Sequence, residues 1–267
     1  MSFFSRVLFP PPASVFVSSM SVISFASLAI TGASEIAGRH LRYSKFWDAT
    51  GVASIGVGDI RISSRVGMLM LYSPAMVAAL ASFFVPGLVV DLRAQLVASA
   101  LAIHFAKRVL EVLFVHQYSG QMILDSAIPI SFSYFSATVT SIYAQHLTKN
   151  MLEPAMDLKY VGVLLFLVGI FGNFYHHLIL TKLRTKGEKV YKIPKGGLFG
   201  LVICPHYLFE IIGFIGISLI SQTIYTLSFT FGTIVYLMGR SYVTRKWYLS
   251  KFEDFPKDVK AIIPYIF

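Results

Sequence analysis

Long apolar runs alternate with short polar connectors along this chain, and proline and glycine mark most of the boundaries. The first run covers 13–33, just after Pro10-Pro11-Pro12; the second covers 67–85, with Pro74 in its middle and Pro86-Gly87 closing it. A third covers 92–115 and a fourth, rich in Ser, Phe and Tyr, covers 127–146. The fifth starts at 158 and turns polar towards 184, the sixth covers 197–220, and Ser221-Gln222 makes a tight turn into a seventh that reaches 239. Each is close to the roughly 20 residues that cross a hydrocarbon core of about 30 Å. The pattern therefore predicts an all-α, polytopic membrane protein, a bundle of about seven transmembrane helices. Pro74 is expected to kink the second helix. The first run is longer than the apolar core of a signal peptide and carries no clear cleavage site, so it reads as retained.

Composition agrees with this reading. The chain is 55% hydrophobic and only 13% charged, against roughly 25% charged in soluble domains. Its mean hydropathy is +0.68. A net charge of +10 would fit nucleic acid, but the basic residues sit between and beside the spans, which is a topology signal instead. Seven spans put connectors 34–66, 116–126 and 181–196 and the C-terminal tail on one side. Most of the positive charge lies there, so that side is expected to be cytosolic. Connector 34–66, with glycines at 51, 56 and 58, reads as a polar, partly re-entrant loop able to approach a ligand. The single cysteine, Cys204, excludes an intrachain disulfide. The absence of an internal repeat argues against a transporter.

Chemistry concentrates in two places. The third run carries His104, Lys107, Arg108 and Glu111 at helical spacing, and such a face cannot look at lipid. It is expected to turn inward, with Lys107 or Arg108 pairing with Glu111 within one turn. The stretch 158–210 carries Asn173, His177 and Arg184 near one helical face, then a loop with Lys186, Lys189, Tyr191, Lys192 and Lys195, then His206, Tyr207 and Glu210 just after Pro205. Two readings stand for these groups: polar helix ends and an ordinary cytosolic lysine loop, or a site for an anionic ligand. Arg184 suits bidentate phosphate binding, and Tyr191 suits stacking on a purine. Tyr207 beside a cation suits a proton donor. Pro205, read inside the sixth span, should free a backbone carbonyl nearby. No HExxH or HxxxH spacing is present, so no metal is expected.

The stretches GNFYHHLILTKLR, GEKVYKIPKGGLF, CPHYLFEIIGFIG and RKWYLSKFEDFPKDVKAIIPYIF, in that order within 162–267, resemble the C-terminal domain of the steroid 5α-reductase family. These are NADPH-dependent membrane reductases of conjugated double bonds in lipids. The resemblance implies a seven-helix enzyme of the endoplasmic reticulum membrane whose cytosolic loops cover NADPH. It divides the chain into a substrate-side half, 1–157, and a cofactor-binding half, 158–267. Carried over by position, Asn173, Arg184, Tyr191, Lys192, His206, Glu210, Arg240 and Tyr248, with Tyr43 of RYSKF, are cofactor contacts.

At the substrate end the chain departs from the steroid members. Leu71 and Tyr72 stand where those members have a Gln-Glu pair, and Phe105 stands at a tyrosine position. The stretch HFAKRVLEVLFVHQYS and the Cys-Pro-x-Tyr at 204–207 resemble the trans-2-enoyl-CoA reductase branch instead. The expectation is a reductase of a lipid C=C bond conjugated to a carbonyl, in an enoyl-CoA or 3-oxo-Δ4-steroid. Tyr207 is expected as acid, Lys107 or Arg108 as carbonyl polariser, and Glu111 as their orienting group. Polyprenol reduction and a non-catalytic lipid-binding bundle are the alternatives. Expected partners are the membrane, the lipid substrate and other lipid-synthesis enzymes, with no nucleic acid.

Overall fold

A computed structural model of the chain describes residues 3–40, 60–118, 120–183 and 191–267. Tyr43, Arg184, Lys186, Lys189 and the glycines at 51, 56 and 58 lie outside the described residues. Among the described residues, seven long helices follow one another: α1 (Val15–Ile36), α2 (Ser64–Ala81), α3 (Leu92–Leu110), α4 (Leu124–His146), α5 (Lys159–Lys182), α6 (Pro205–Ser221) and α7 (Ile224–Lys251). Each matches one of the expected runs. The chain is an all-helical polytopic membrane protein, and Val15–Ile36, Ser64–Phe84 and Lys159–Lys182 are long and apolar enough to cross a bilayer by length and composition alone.

Local chemistry sets where these helices begin. Ser14 caps α1 by accepting from the Val17 amide, Ser63 caps α2 through Val66, and Asp91 caps α3 through Ala94 at 2.8 Å. Two three-residue strands, β1 (Arg61–Ser63) and β2 (Gln121–Ile123), pair antiparallel with Ile62 opposite Met122. Each runs straight into a helix, and Ser64 N–H to Gly120 O and Leu124 N–H to Ile60 O close the ribbon. Neither strand is visible as a period in the sequence, because three residues carry no measurable alternation. The ribbon joins connector 34–66 to connector 116–126, as expected if they share a side.

Pro74 lies inside α2, and its missing N–H leaves the Met70 carbonyl without its helical donor. The Ser131 hydroxyl of α4 donates to that carbonyl at 2.7 Å, so a neighbouring helix supplies the lost bond. Pro205 requires a correction. It is the first residue of α6, where a proline breaks no helical hydrogen bond, and residues 197–200 form a separate 3-10 turn. Residues 201–204 pair with the tail: Ile203 and Cys204 donate to the Lys260 and Ala261 carbonyls, and Lys260 donates back to Leu201 at 2.9 Å. The seventh helix also runs past the expected end at 239 to Lys251, because Arg240 to Lys251 continue a helical stretch whose polar groups find partners.

The core between α2, α3, α4 and α6 is built from small and aliphatic side chains, among them Ala75, Ala79, Val97, Ala98, Leu101 and Ile217. At the end opposite the ribbon, Gln222 adopts a left-handed conformation (φ 51°) between α6 and α7. Its side-chain amide donates to the carbonyls of Val7 and Met156, and its oxygen accepts from Leu158 N–H at 2.8 Å and from Arg93 at 3.0 Å. Buried Arg93 also meets Ile220 O, Glu153 and Asp157. Replacing Gln222 with alanine strands several buried donors and acceptors, and we expect a loss of about 2–4 kcal/mol, read by thermal unfolding in detergent. Burial works against the charge of Asp157, but Lys159 and Arg93 outweigh it and hold its carboxyl down to about 2. Its contribution is therefore present above the ordinary carboxylate range and lost as pH falls through about 2.

Candidate active site

Three helices bring the inward charges together. On α3, Lys107 Nζ lies 2.8 Å from Glu111 Oε1, and Arg108 Nη1 donates to Glu111 Oε2 at 2.9 Å. These are the i,i+4 and i,i+3 pairs the spacing predicted. The helix loosens into a π turn over Glu111–Val115, a form found where a helix must aim side chains at a site. Glu111 is 1% exposed, so a charge there requires the partners it has.

From α5, His177 Nδ1 meets Glu111 Oε1 at 2.9 Å and Arg108 Nη1 at 3.3 Å, and Asn173 Oδ1 accepts from Lys107. Asn173 spends its amide nitrogen on the His206 carbonyl, 2.8 Å away in the first turn of α6. His177 is thus a buried member of the cluster, and the interfacial reading of it fails. His176, one residue earlier, holds the backbone instead. Its Nδ1 donates to Gly172 O and its Nε2 accepts from Leu198 N–H at 3.1 Å, which ties α5 to the 3-10 turn.

On α6 the His206 ring lies 5.4 Å from that of His177 and 4.3 Å from that of Tyr207. Among the described residues, buried His206 Nδ1 has no hydrogen-bond partner, and the Glu210 carboxylate follows one turn on. Glu210 sits close enough to Lys107 and Arg108 to feel their charge. Tyr207 packs against the apolar cluster of Ile203, Cys204, Tyr248 and Phe255. There the Tyr248 hydroxyl reaches the Lys192 carbonyl at 3.5 Å, and the Tyr191 ring meets Trp247 at 4.9 Å. The expected residues Tyr191, Lys192 and Tyr248 therefore gather beside Tyr207.

Arg240, expected as a cofactor contact, is paired with an acid of the first helix. Its Nη1 lies 3.0 Å from Glu35 Oε1, and Glu35 Oε2 meets His40 Nδ1 at 2.6 Å. The close crossing of α1 and α7 brings this about: a Cβ on Gly239 would lie 2.5 Å from Gly32 O, so only glycine lets Glu35 face Arg240. The sequence reading put Glu35 in the polar connector 34–66, but it belongs to the last turn of α1 and is fully buried.

Tyr72 was also missed. Arg108 Nη2 donates to its hydroxyl at 2.6 Å, and its ring stacks on Tyr134 at 5.6 Å. Glu111, His116 and His177 offer ligand atoms within 4.8 Å of one another. A divalent cation there would face Lys107 and Arg108, which already neutralise Glu111, so the charge balance disfavours a metal. Burial first, then the neighbouring His177 and Arg108, lower the His116 pKa to about 3, which leaves that imidazole neutral.

Fold and site together define a membrane-embedded helical bundle with an inward polar cluster, in which Lys107, Arg108 and Glu111 converge beside a buried His206 nitrogen that has no partner among the described residues. The comparisons with known proteins agree with such a class. Residues 120–267 match the family model described as 3-oxo-5-alpha-steroid 4-dehydrogenase, and the chain belongs to that family. It is 34% identical over 167 residues to 3-oxo-5-alpha-steroid 4-dehydrogenase 1 of Macaca fascicularis, covering 62% of this chain and 64% of that protein. It is 43% identical over 107 residues to steroid 5-alpha-reductase DET2 of Gossypium hirsutum, covering 40% of this chain and 42% of that protein. The chain thus spans less than two thirds of the length of these relatives. The family match begins at residue 120 and so leaves out Tyr72, Lys107, Arg108 and Glu111.

Proposed function

We propose that this chain is an NADPH-dependent reductase of a lipid carbon-carbon double bond conjugated to a carbonyl, acting in the endoplasmic reticulum membrane with connectors 34–66 and 181–196 and the tail in the cytosol. The observation that carries the reading is the cluster of Lys107, Arg108, Glu111, Asn173 and His177, beside a buried His206 nitrogen that has no hydrogen-bond partner among the described residues. Buried polar atoms without partners are costly, and a bound polar ligand satisfies them. The polar groups of this cluster would suit a nicotinamide ring with its carboxamide, which when bound supplies hydride.

The chain's own groups divide the remaining work. Asn173, His206 and Glu210 hold the nicotinamide end, Glu210 through the carboxamide. Tyr191, Lys192 and Tyr248, with Tyr43 and Arg184, hold the adenosine and phosphate end. Arg240 lends charge to that end while paired with Glu35, so its share of a phosphate is smaller than an unpaired arginine's. Tyr207 holds the proton for the α-carbon of the substrate. Lys107 and Arg108 stabilise negative charge that develops on the carbonyl oxygen, and Glu111 fixes them in place.

Leu71 and Phe105 are both 2% exposed and built into the apolar core. They bring no polar group to a steroid ketone, which favours an enoyl thioester over a 3-oxo-Δ4-steroid. The test is a panel of trans-2-enoyl-CoA, 3-oxo-Δ4-steroid and polyprenol-type substrates given to the purified protein with NADPH. We expect oxidation of NADPH with the enoyl thioester, whereas silence with every compound supports a non-catalytic lipid-binding bundle. In the same assay, Tyr207→Phe should lower kcat by about 100-fold with NADPH affinity nearly intact. Arg184→Ala should weaken NADPH by about 10–100-fold and NADH far less.

A further inference from the structure

We infer that the end of the bundle opposite the ionic cluster holds the headgroup of a phosphoethanolamine lipid, with Lys149 on the phosphate and Asp91 on the ammonium; this does not depend on the reductase reading. A cavity of about 270 Å³ opens there between the start of α3, the end of α4 and the connector that follows α4. Arg93 in its wall and Lys107 of the ionic cluster lie on the same helix, roughly 20 Å apart at about 1.5 Å per residue. The cavity is therefore a separate site. Its floor is polar and buried, made by Arg93, Gln145 and Thr148. Every donor of the Arg93 guanidinium is used, on Glu153, Asp157, Gln222 and the Ile220 carbonyl, so it closes the floor and offers no contact. Among the described residues, Gln145 Nε2 makes one bond, to Thr148 Oγ1 at 2.8 Å, and its second hydrogen is left for an acceptor in the cavity.

Charge selects the ligand. Lys149 and Asp91 line the cavity, and among the described residues neither has an ion-pair partner, although the neighbouring Arg93–Glu153 and Lys159–Asp157 pairs are closed. Asp91 Oδ1 accepts from Ala94 N–H at 2.8 Å as the cap of α3, and its second oxygen remains for a ligand. Over the whole lining, Arg93 and Lys149 cancel Asp91 and Glu153. A neutral wall that offers one uncommitted charge of each sign suits a zwitterion better than a net anion. The nature of the cation follows from the same residues. A primary ammonium donates to a carboxylate, whereas a quaternary one has no N–H and is held by aromatic faces. The one ring in the lining, Phe9, already faces the Arg93 guanidinium at 5.2 Å, which favours ethanolamine over choline.

Depth makes the ligand a lipid. The cavity sits where α3 begins and α4 ends, the level at which a spanning helix leaves hydrocarbon and meets headgroups. Val90 and Leu92 flank Asp91, Leu152 precedes Glu153, and all three are exposed apolar side chains. Acyl chains attached to a headgroup in the cavity thus continue onto apolar surface, while a cation beside the phosphate fixes the polar end. A bound headgroup touches the start of α3 and the connector after α4 together. These are the segments that Arg93 already ties to the turn between α6 and α7, so occupancy should raise the melting temperature.

The test is native mass spectrometry of the delipidated full chain in detergent, titrated with short-chain phosphatidylethanolamine, phosphatidylcholine and phosphatidylglycerol, and with soluble phosphoethanolamine. We expect one saturable phosphatidylethanolamine, with the other two lipids about tenfold weaker. Lys149→Gln changes an exposed side chain and should weaken phosphatidylethanolamine by about tenfold. Asp91→Asn keeps a good cap on α3, so the helix start survives, and it should erase the preference for phosphatidylethanolamine over phosphatidylglycerol. Equal affinity for the three lipids, or wild-type selectivity and affinity in either variant, overturns the proposal. Phosphatidylethanolamine bound no more tightly than soluble phosphoethanolamine overturns the assignment to a lipid.

Discussion

Glu111→Ala is expected to lose about 3–5 kcal/mol of stability, together with all measurable binding of a nicotinamide cofactor. The magnitude follows from what the carboxylate neutralises. Lys107 Nζ at 2.8 Å, Arg108 Nη1 at 2.9 Å and His177 Nδ1 at 2.9 Å all converge on it. Without it, two largely buried cations keep only Asn173, Tyr72 and His177 as hydrogen-bond partners, all neutral groups. Thermal unfolding in detergent and cofactor fluorescence measure the two losses. Removing the Lys107 charge as well, in Lys107→Met with Glu111→Ala, should recover part of the stability, because the variant pair shares one interaction. If each single change and the double change add simply, the ion cluster is not the keystone of the site.

Gly169→Ala should be nearly as damaging although it adds only one methyl group. A Cβ at Gly169 would fall 2.5 Å from Gly213 Cα and 2.7 Å from Phe209 O, both backbone atoms that cannot swing aside. Helices α5 and α6 must therefore separate. They carry Asn173 and His177 on one side and His206, Tyr207 and Glu210 on the other, bridged by the 2.8 Å bond from Asn173 to the His206 carbonyl. We expect a loss of about 1–3 kcal/mol and a cofactor affinity reduced by about tenfold or more. An alanine variant with wild-type melting and affinity would show that these helices are not held at contact distance.

These two residues also show how far the sequence reaches. Glu111 was legible as the partner of Lys107 and Arg108 because all three lie within one helical turn, where spacing fixes proximity. The helices themselves were legible because hydrocarbon demands long apolar runs. Contacts between distant segments were not. Tyr72 meets Arg108 across 36 positions and Glu35 meets Arg240 across 205, and neither spacing carries a period. Tyr72 in particular looked like the loss of a polar pair, whereas its hydroxyl is held by the central arginine.

Pro205 read as an interruption inside a helix because the apolar run continues through it from 197. The break becomes visible only once the tail at Lys260 and Ala261 is seen taking the backbone bonds of residues 201–204. Tyr43 and Arg184 remain proposals on sequence grounds, since they lie outside the described residues. The placement of Arg240 shows why such proposals need a direct contact: a positive side chain at the right position was already paired with an acid from the first helix.

The central claim is that the polar cluster would hold a reduced nicotinamide where its hydride can pass to an electron-poor carbon of a lipid. The most direct measurement uses NADPH carrying deuterium at C4 of the nicotinamide, on the face that is transferred, with trans-2-enoyl-CoA and the purified chain, and mass spectrometry of the product. The account predicts one deuterium at the β-carbon and one solvent-derived hydrogen at the α-carbon. A saturated product with no deuterium from the cofactor, or no saturated product from any lipid enone with either label face, would contradict it.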